Sequence, residues 1–217
     1  MKFITTCLAI LAFTNTAQAA QTCLHDAELM SSAALILKEG NGKGSGVLYE
    51  DDIVLTNHHV IADITQIWVH IPKTNKQVQA TVLYSSPKPD IAVLKLNKPV
   101  EGVKPLTLAR RAIKRENLKL VSFPFGEKHR LGAVQARFNN MARFKSDTRL
   151  LYFNALLSDW AFAGDSGGPF FNCKGEIVGL NFGNLALKGT PEHVYAVNMR
   201  AIEDALNAAS VKVRMGN

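Results

Sequence analysis

The chain has 217 residues, 47% of them hydrophobic, and a formal net charge of +7. That length suits one domain or at most two, with enough apolar residues to bury a sizeable core. The basic excess is scattered, with no run longer than Arg110-Arg111 and no RNA-binding signature, so a solvated surface explains it better than a nucleic-acid partner.

In chain order, Lys2 is a short positive stretch and Phe3 to Phe13 is apolar, followed by small residues at Ala17 and Ala19 in "TAQAA". This layout predicts a signal peptide over 1–20, with cleavage near Ala19 or Ala20 and a periplasmic or extracellular destination. The alternative is a retained anchor, but the run is short for a bilayer. No other stretch is expected to span a membrane. The mature chain, 21–217, would carry a charge of +6 (the +7 less Lys2) and two cysteines, Cys23 and Cys173. In an oxidising compartment such a pair suits one disulfide, two free thiols being the alternative.

The rest reads mostly as β. Runs rich in β-branched and aromatic residues lie at 45–50, 52–56, 66–72, 77–85 and 90–96, separated by turn signals such as "KTNK" and "SPKP". After Pro99 to Pro105, a candidate boundary between two halves, strand patterns resume at 118–124, 131–138, 150–157, 176–182 and 193–198. Helical spacing is clear at 199–210, with Ile202, Ala205 and Leu206 on one face. The expected class is all-β, a sandwich or barrel with a C-terminal helix.

The strongest local signal is "AGDSGGP", Ala163 to Pro169. Glycines around Ser166 permit φ > 0 and close approach of a ligand, although a plain Gly-rich turn reads the same way. Gly164 to Gly168 also fits G-x-S-x-G, but that nucleophile elbow needs a strand–turn–helix and an acid and histidine downstream. Here the flanks are strand-like and only His193 follows. Upstream, "TNHHV" ends one strand and Asp90 begins another, giving the order His, Asp, Ser. "GNGKGSG" (40–46) lacks the order of a phosphate loop and leads into a strand. His25, His70, His129 and His193 show no metal-ligand spacing. No metal and no cofactor is implied.

These residues together resemble the chymotrypsin-like (trypsin-fold) serine peptidases, in particular the bacterial HtrA-type branch. "GSGVLYEDDIVLTNHHVI" resembles that branch's Gly-Ser-Gly-Val strand and Thr-Asn-x-His-Val motif, "DIAVLKL" the aspartate motif and "GDSGGP" the serine motif. "GEIVGLNFG" resembles the strand lining the substrate cleft, and "VYAVNMRAI" the last strand before the C-terminal helix. The resemblance implies two packed antiparallel β-barrels and a protease domain only, over 21–217. It implies a secreted endopeptidase acting on protein or peptide substrates through an acyl-enzyme. His59, not His58, would be the base, because the family's histidine comes three residues after the strand-ending Thr and just before an apolar residue. Asp90 would orient it, Ser166 would attack, and the N–H groups of Gly164 and Ser166 would form the oxyanion hole. A trypsin fold kept for binding, with catalysis lost, is the rival reading.

Three departures qualify the resemblance. No "IVGG"-like start is available to pair with Asp165, whose partner is therefore unreadable. No residues remain for the PDZ domains common in the HtrA branch, so trimer formation and peptide-triggered activation are not implied, and the oligomeric state is unknown. The position six before the serine, the base of the family's primary pocket, is Trp160 rather than a carboxylate. With Asn181 and Phe182 on the cleft strand, Trp160 implies cleavage after small or medium uncharged residues, unless the indole points into the core.

Overall fold

The computed structural model describes residues 23–142, 151–183 and 193–216. The expected signal peptide, 1–20, lies outside them. The first barrel is built from β1 (Ala33–Lys38), β2 (Asn41–Leu48), β3 (Ile53–Thr56), β4 (Ile67–Ile71), β5 (Lys76–Ser86) and β6 (Ile91–Leu96). The second comprises β7 (Asn117–Ser122), β8 (Gly132–Ala142), β9 (Tyr152–Leu157), β10 (Pro169–Phe171), β11 (Ile177–Gly183) and β12 (His193–Asn198). Around the barrels the orders are β1-β2-β3-β6-β5-β4 and β10-β11-β12-β9-β8-β7, both closed. Every pairing between these strands is antiparallel. Closure removes exposed sheet edges.

The fold is the expected one, with two strands added. β1, "AALILK", was not anticipated because it does not alternate. Ala34 and Ile36 pack with Val54, Val69 and Leu94 of the first barrel's own strands. The intervening Ala33, Leu35 and Leu37 join a cluster that includes Leu120, Phe123 and Phe170 of the second barrel. A strand buried on both faces reads as a continuous apolar run, which periodicity alone cannot assign. β10 is only three residues long and follows the glycines of the serine loop.

Among the described residues three α-helical segments complete the frame: α1 (Asp26–Met30), α2 (His58–Ile61) and α3 (Met199–Ala208). Asn198 caps α3, its side chain accepting the Ala201 N–H at 3.1 Å, and Ile202, Ala205 and Leu206 are buried beneath it. Cys23 and Cys173 are disulfide-bonded with Cα atoms 4.4 Å apart, which ties the segment before α1 to the β10–β11 hairpin. No helix among the described residues is long and apolar enough to cross a membrane.

Candidate active site

β3 runs out at Thr56, and the chain turns at once into the single turn of α2. Consecutive residues of that turn point in different directions, which separates the two histidines. His58 Nδ1 lies 2.7 Å from Ser85 Oγ at the end of β5. His59 faces Asp90 instead. Its backbone N–H donates to Asp90 Oδ1 at 2.9 Å, and its Nδ1 is 2.7 Å from Asp90 Oδ2. A carboxylate oxygen accepts, so Nδ1–H is the donor of this bond, which fixes the ring's orientation.

Asp90 itself is 4% exposed and takes φ +67°, in the left-handed region that an Asp tolerates better than most residues. Asn57, fully buried, donates from Nδ2 to the Asp90 carbonyl at 2.9 Å. The side chain just before the two histidines therefore fixes the backbone that aims the aspartate. Asn57 stands within the same "TNHHV" motif but carries no spacing signal of its own.

Ser166 lies on the loop leading into β10. Its Oγ donates to the Phe182 carbonyl at 3.4 Å, and the Phe182 ring packs edge-on to the His59 imidazole with centroids 5.9 Å apart. The serine, the histidine and the end of β11 therefore share one cleft between the barrels. Hydrogen bonds between a serine and its base are often long or loose without substrate. Gly167 has φ +85°, and a Cβ there would meet the Ser45 carbonyl oxygen at 2.1 Å. Only glycine lets the loop turn so close to β2. The backbone N–H groups of Gly164 and Ser166 donate to no acceptor among the described residues.

Among the described residues Asp165 pairs with no cation. Its Oδ2 accepts the Phe162 N–H at 2.7 Å, while Oδ1 lacks a hydrogen-bond partner among the described residues. Burial pushes its pKa up to about 6; the Phe162 N–H and, more weakly, the Ser122 hydroxyl pull in the other direction.

Trp160 is 58% exposed. Asn181 is fully buried, its N–H donating to the Gly168 carbonyl at 2.7 Å and its carbonyl accepting from Gly167 at 2.8 Å. Neither polar atom of the Asn181 side chain has a partner among the described residues. Phe182 is half-buried, its ring 5.9 Å from His59 and 6.2 Å from Tyr152. No group of three or more His, Cys, Asp or Glu among the described residues could hold a metal ion.

Two six-stranded barrels meeting at a His–Asp pair and a glycine-flanked serine define a trypsin-like architecture. Residues 44–180 match the trypsin-like peptidase domain, and the chain belongs to that family. Among its curated relatives is a protein of Ectopseudomonas mendocina named probable periplasmic serine endoprotease DegP-like, 36% identical over 154 residues. That match covers 66% of this chain and 30% of the relative. A Pseudomonas putida protein of the same name is 33% identical over 148 residues, with the same coverage. The chain thus spans about a third of the length of the curated relatives it matches. In fold it is similar to the Rv3671c protease of M. tuberculosis in its active form, with a TM-score of 0.71. That likeness has 23% identity and covers 88% of this chain and 86% of the other. It is also similar to the HtrA-type protease AlgW, at a TM-score of 0.67 and 19% identity over 83% of this chain and 65% of that one.

Proposed function

We propose that the chain is a serine endopeptidase, exported to the periplasm or beyond the cell, that cleaves protein or peptide substrates through an acyl-enzyme on Ser166. The observation that carries this reading is the pair of hydrogen bonds between Asp90 and His59, at 2.9 Å from the His59 N–H to Oδ1 and 2.7 Å from Nδ1 to Oδ2. With Nδ1 engaged by the carboxylate, Nε2 is the ring nitrogen left to act as base toward Ser166. The periplasmic setting is what the relatives' names state of them.

In the first step His59 Nε2 takes the Ser166 proton while Oγ bonds the scissile carbonyl carbon. The carbonyl's π pair moves to its oxygen, which the Gly164 and Ser166 N–H groups receive. Each such donor supplies on the order of 3 kcal/mol of transition-state stabilisation. Collapse of the intermediate breaks the C–N bond, and imidazolium gives its proton to the leaving amine. Water, deprotonated by His59, then repeats the attack on the acyl-enzyme and releases the acid. Asp90 stays ionised throughout and stabilises the imidazolium.

For specificity, Trp160, Asn181 and Phe182 place no charge opposite a substrate side chain, and a buried cation without a partner is strongly disfavoured. The substrate class is therefore peptides cleaved after small or medium uncharged residues such as Val, Ala or Leu. Mass-spectrometric profiling of a peptide library with the mature protein and its Ser166→Ala variant tests both parts. Cleavage by the parent alone, after apolar residues, is expected. Dominant cleavage after Lys, Arg or Glu overturns the specificity. No cleavage by the parent overturns the enzymatic reading and favours a trypsin fold retained for binding.

A further inference from the structure

The geometry points to Ser45 as the positioning residue that orients the oxyanion-binding peptides of the second barrel from within the first. This inference rests on the proposed function above, and it concerns a residue that neither contacts the His–Asp pair nor reaches substrate.

Ser45 sits near the end of β2, fully buried. Its hydroxyl donates to the Gly164 carbonyl at 2.7 Å and accepts the Phe123 N–H at 2.9 Å. Its backbone N–H donates to the Ser166 carbonyl at 2.8 Å. One residue of the first barrel thus bonds the carbonyls of both residues whose N–H groups are the proposed oxyanion donors. The hydroxyl hydrogen has no choice of direction, because the Phe123 N–H occupies the acceptor side.

The consequence follows from peptide geometry. In a trans peptide the C=O and N–H point in opposite directions, so each oxyanion donor is aimed by the carbonyl of the preceding residue. The Ala163 carbonyl accepts from Phe125 N–H at 2.5 Å, which turns the Gly164 N–H the other way. The Asp165 carbonyl accepts from Gly168 N–H at 3.1 Å, which does the same for Ser166. Between those two planes lies the Gly164–Asp165 peptide. Its N–H donates to the Phe162 carbonyl at 3.2 Å, and its carbonyl is held by the Ser45 hydroxyl. Gly164 has φ +96° and no side chain to resist rotation. Without the hydroxyl this middle plane loses its only described carbonyl partner, and rotation about Gly164 carries the first donor out of line.

The test compares the mature parent protein with Ser45→Ala, and with Ser45→Cys, which keeps the volume but supplies only a weak donor. Four properties are read: kcat, KM, the pH profile of kcat/KM, and the amide NMR shifts of Gly164 and Ser166. In Ser45→Ala, kcat is expected to fall roughly 10- to 100-fold, short of the full loss of an oxyanion donor. KM should stay within about twofold and the pH midpoint should stay put, since the His59–Asp90 pair is untouched. The Gly164 amide should move, and Ser45→Cys should fall between Ala and parent. A variant with kcat within about threefold of the parent and unmoved amides overturns the inference. Failure of both variants to fold also overturns it, because Ser45 would then serve stability alone. If the parent itself cleaves nothing, the proposed function fails, and the amide shifts still decide whether Ser45 sets the Gly164 and Ser166 peptides.

Discussion

Two aspartates flank the cleft, each closed off from solvent, and the fold treats them differently. Asp90, at the entrance to β6, is 4% exposed and gives both oxygens to His59. Its backbone carbonyl is taken up by Asn57. Asp165, on the serine loop, is 3% exposed and receives one good hydrogen bond, from the Phe162 N–H three residues away. Burial has raised its pKa to about 6. A buried carboxylate is useful when the fold brings donors to it, and a source of instability when it does not. The first barrel has placed donors around Asp90, and that pair carries the proposed chemistry. Among the described residues the second barrel leaves Asp165 Oδ1 without a hydrogen-bond partner, next to Ser166.

The strongest way to break this comparison is through the histidines. His59→Ala should lower kcat by about 10⁶-fold, as loss of the base does in related triads. His58→Ala, which removes only the contact with Ser85, should retain most activity. Steady-state peptide hydrolysis by both variants checks this, and the reverse pattern assigns the base to the wrong residue. Asp90→Asn comes next, with an expected loss of about 10⁴-fold in kcat and little change in KM, because an amide holds the wrong imidazole tautomer.

Asp165→Asn acts on stability. A carboxyl whose pKa rises from 3.8 unfolded to about 6 folded binds more protons when folded. Stability is therefore fullest below about pH 4, falls between about pH 4 and 6, and stays reduced above. The span corresponds to about 3 kcal/mol. Asparagine keeps an acceptor for the Phe162 N–H without the charge, so the variant should be more stable than the parent by up to that amount at pH 7.5. Its urea midpoint should also lose most of the parent's change between pH 4 and 6. A parent midpoint that rises over that range contradicts the account. The smallest effect is expected from Ser122→Ala, which removes a weak stabiliser of ionised Asp165. The pH at which stability falls should move upward by a fraction of a unit.

The sequence showed one side of this comparison far better than the other. His59, Asp90 and Ser166 could be proposed from sequence because their motifs are local: a histidine three residues after a strand-ending Thr, an Asp opening a strand, a serine among glycines. Ten of the strands were legible because their positions alternate or are bounded by turn residues. β1 was not, since packing against both barrels erases alternation. The partner of Asp165 could not be read, because a backbone N–H carries no side-chain signature and its direction depends on the loop. Ser45 lies in the Gly-Ser-Gly-Val strand, but its contacts reach residues 119 and 78 positions away, which no local motif reveals. Trp160 is 58% exposed, and a residue count alone says nothing of how open an indole will be.

The most direct test of the central claim is the reactivity of Ser166 toward a serine-directed fluorophosphonate. Intact-mass and peptide-mapping measurements on the mature protein should find one adduct, on Ser166. Labelling should be abolished in Ser166→Ala and slowed by orders of magnitude in Asp90→Asn. An unlabelled parent, or an adduct on another serine, would contradict the account.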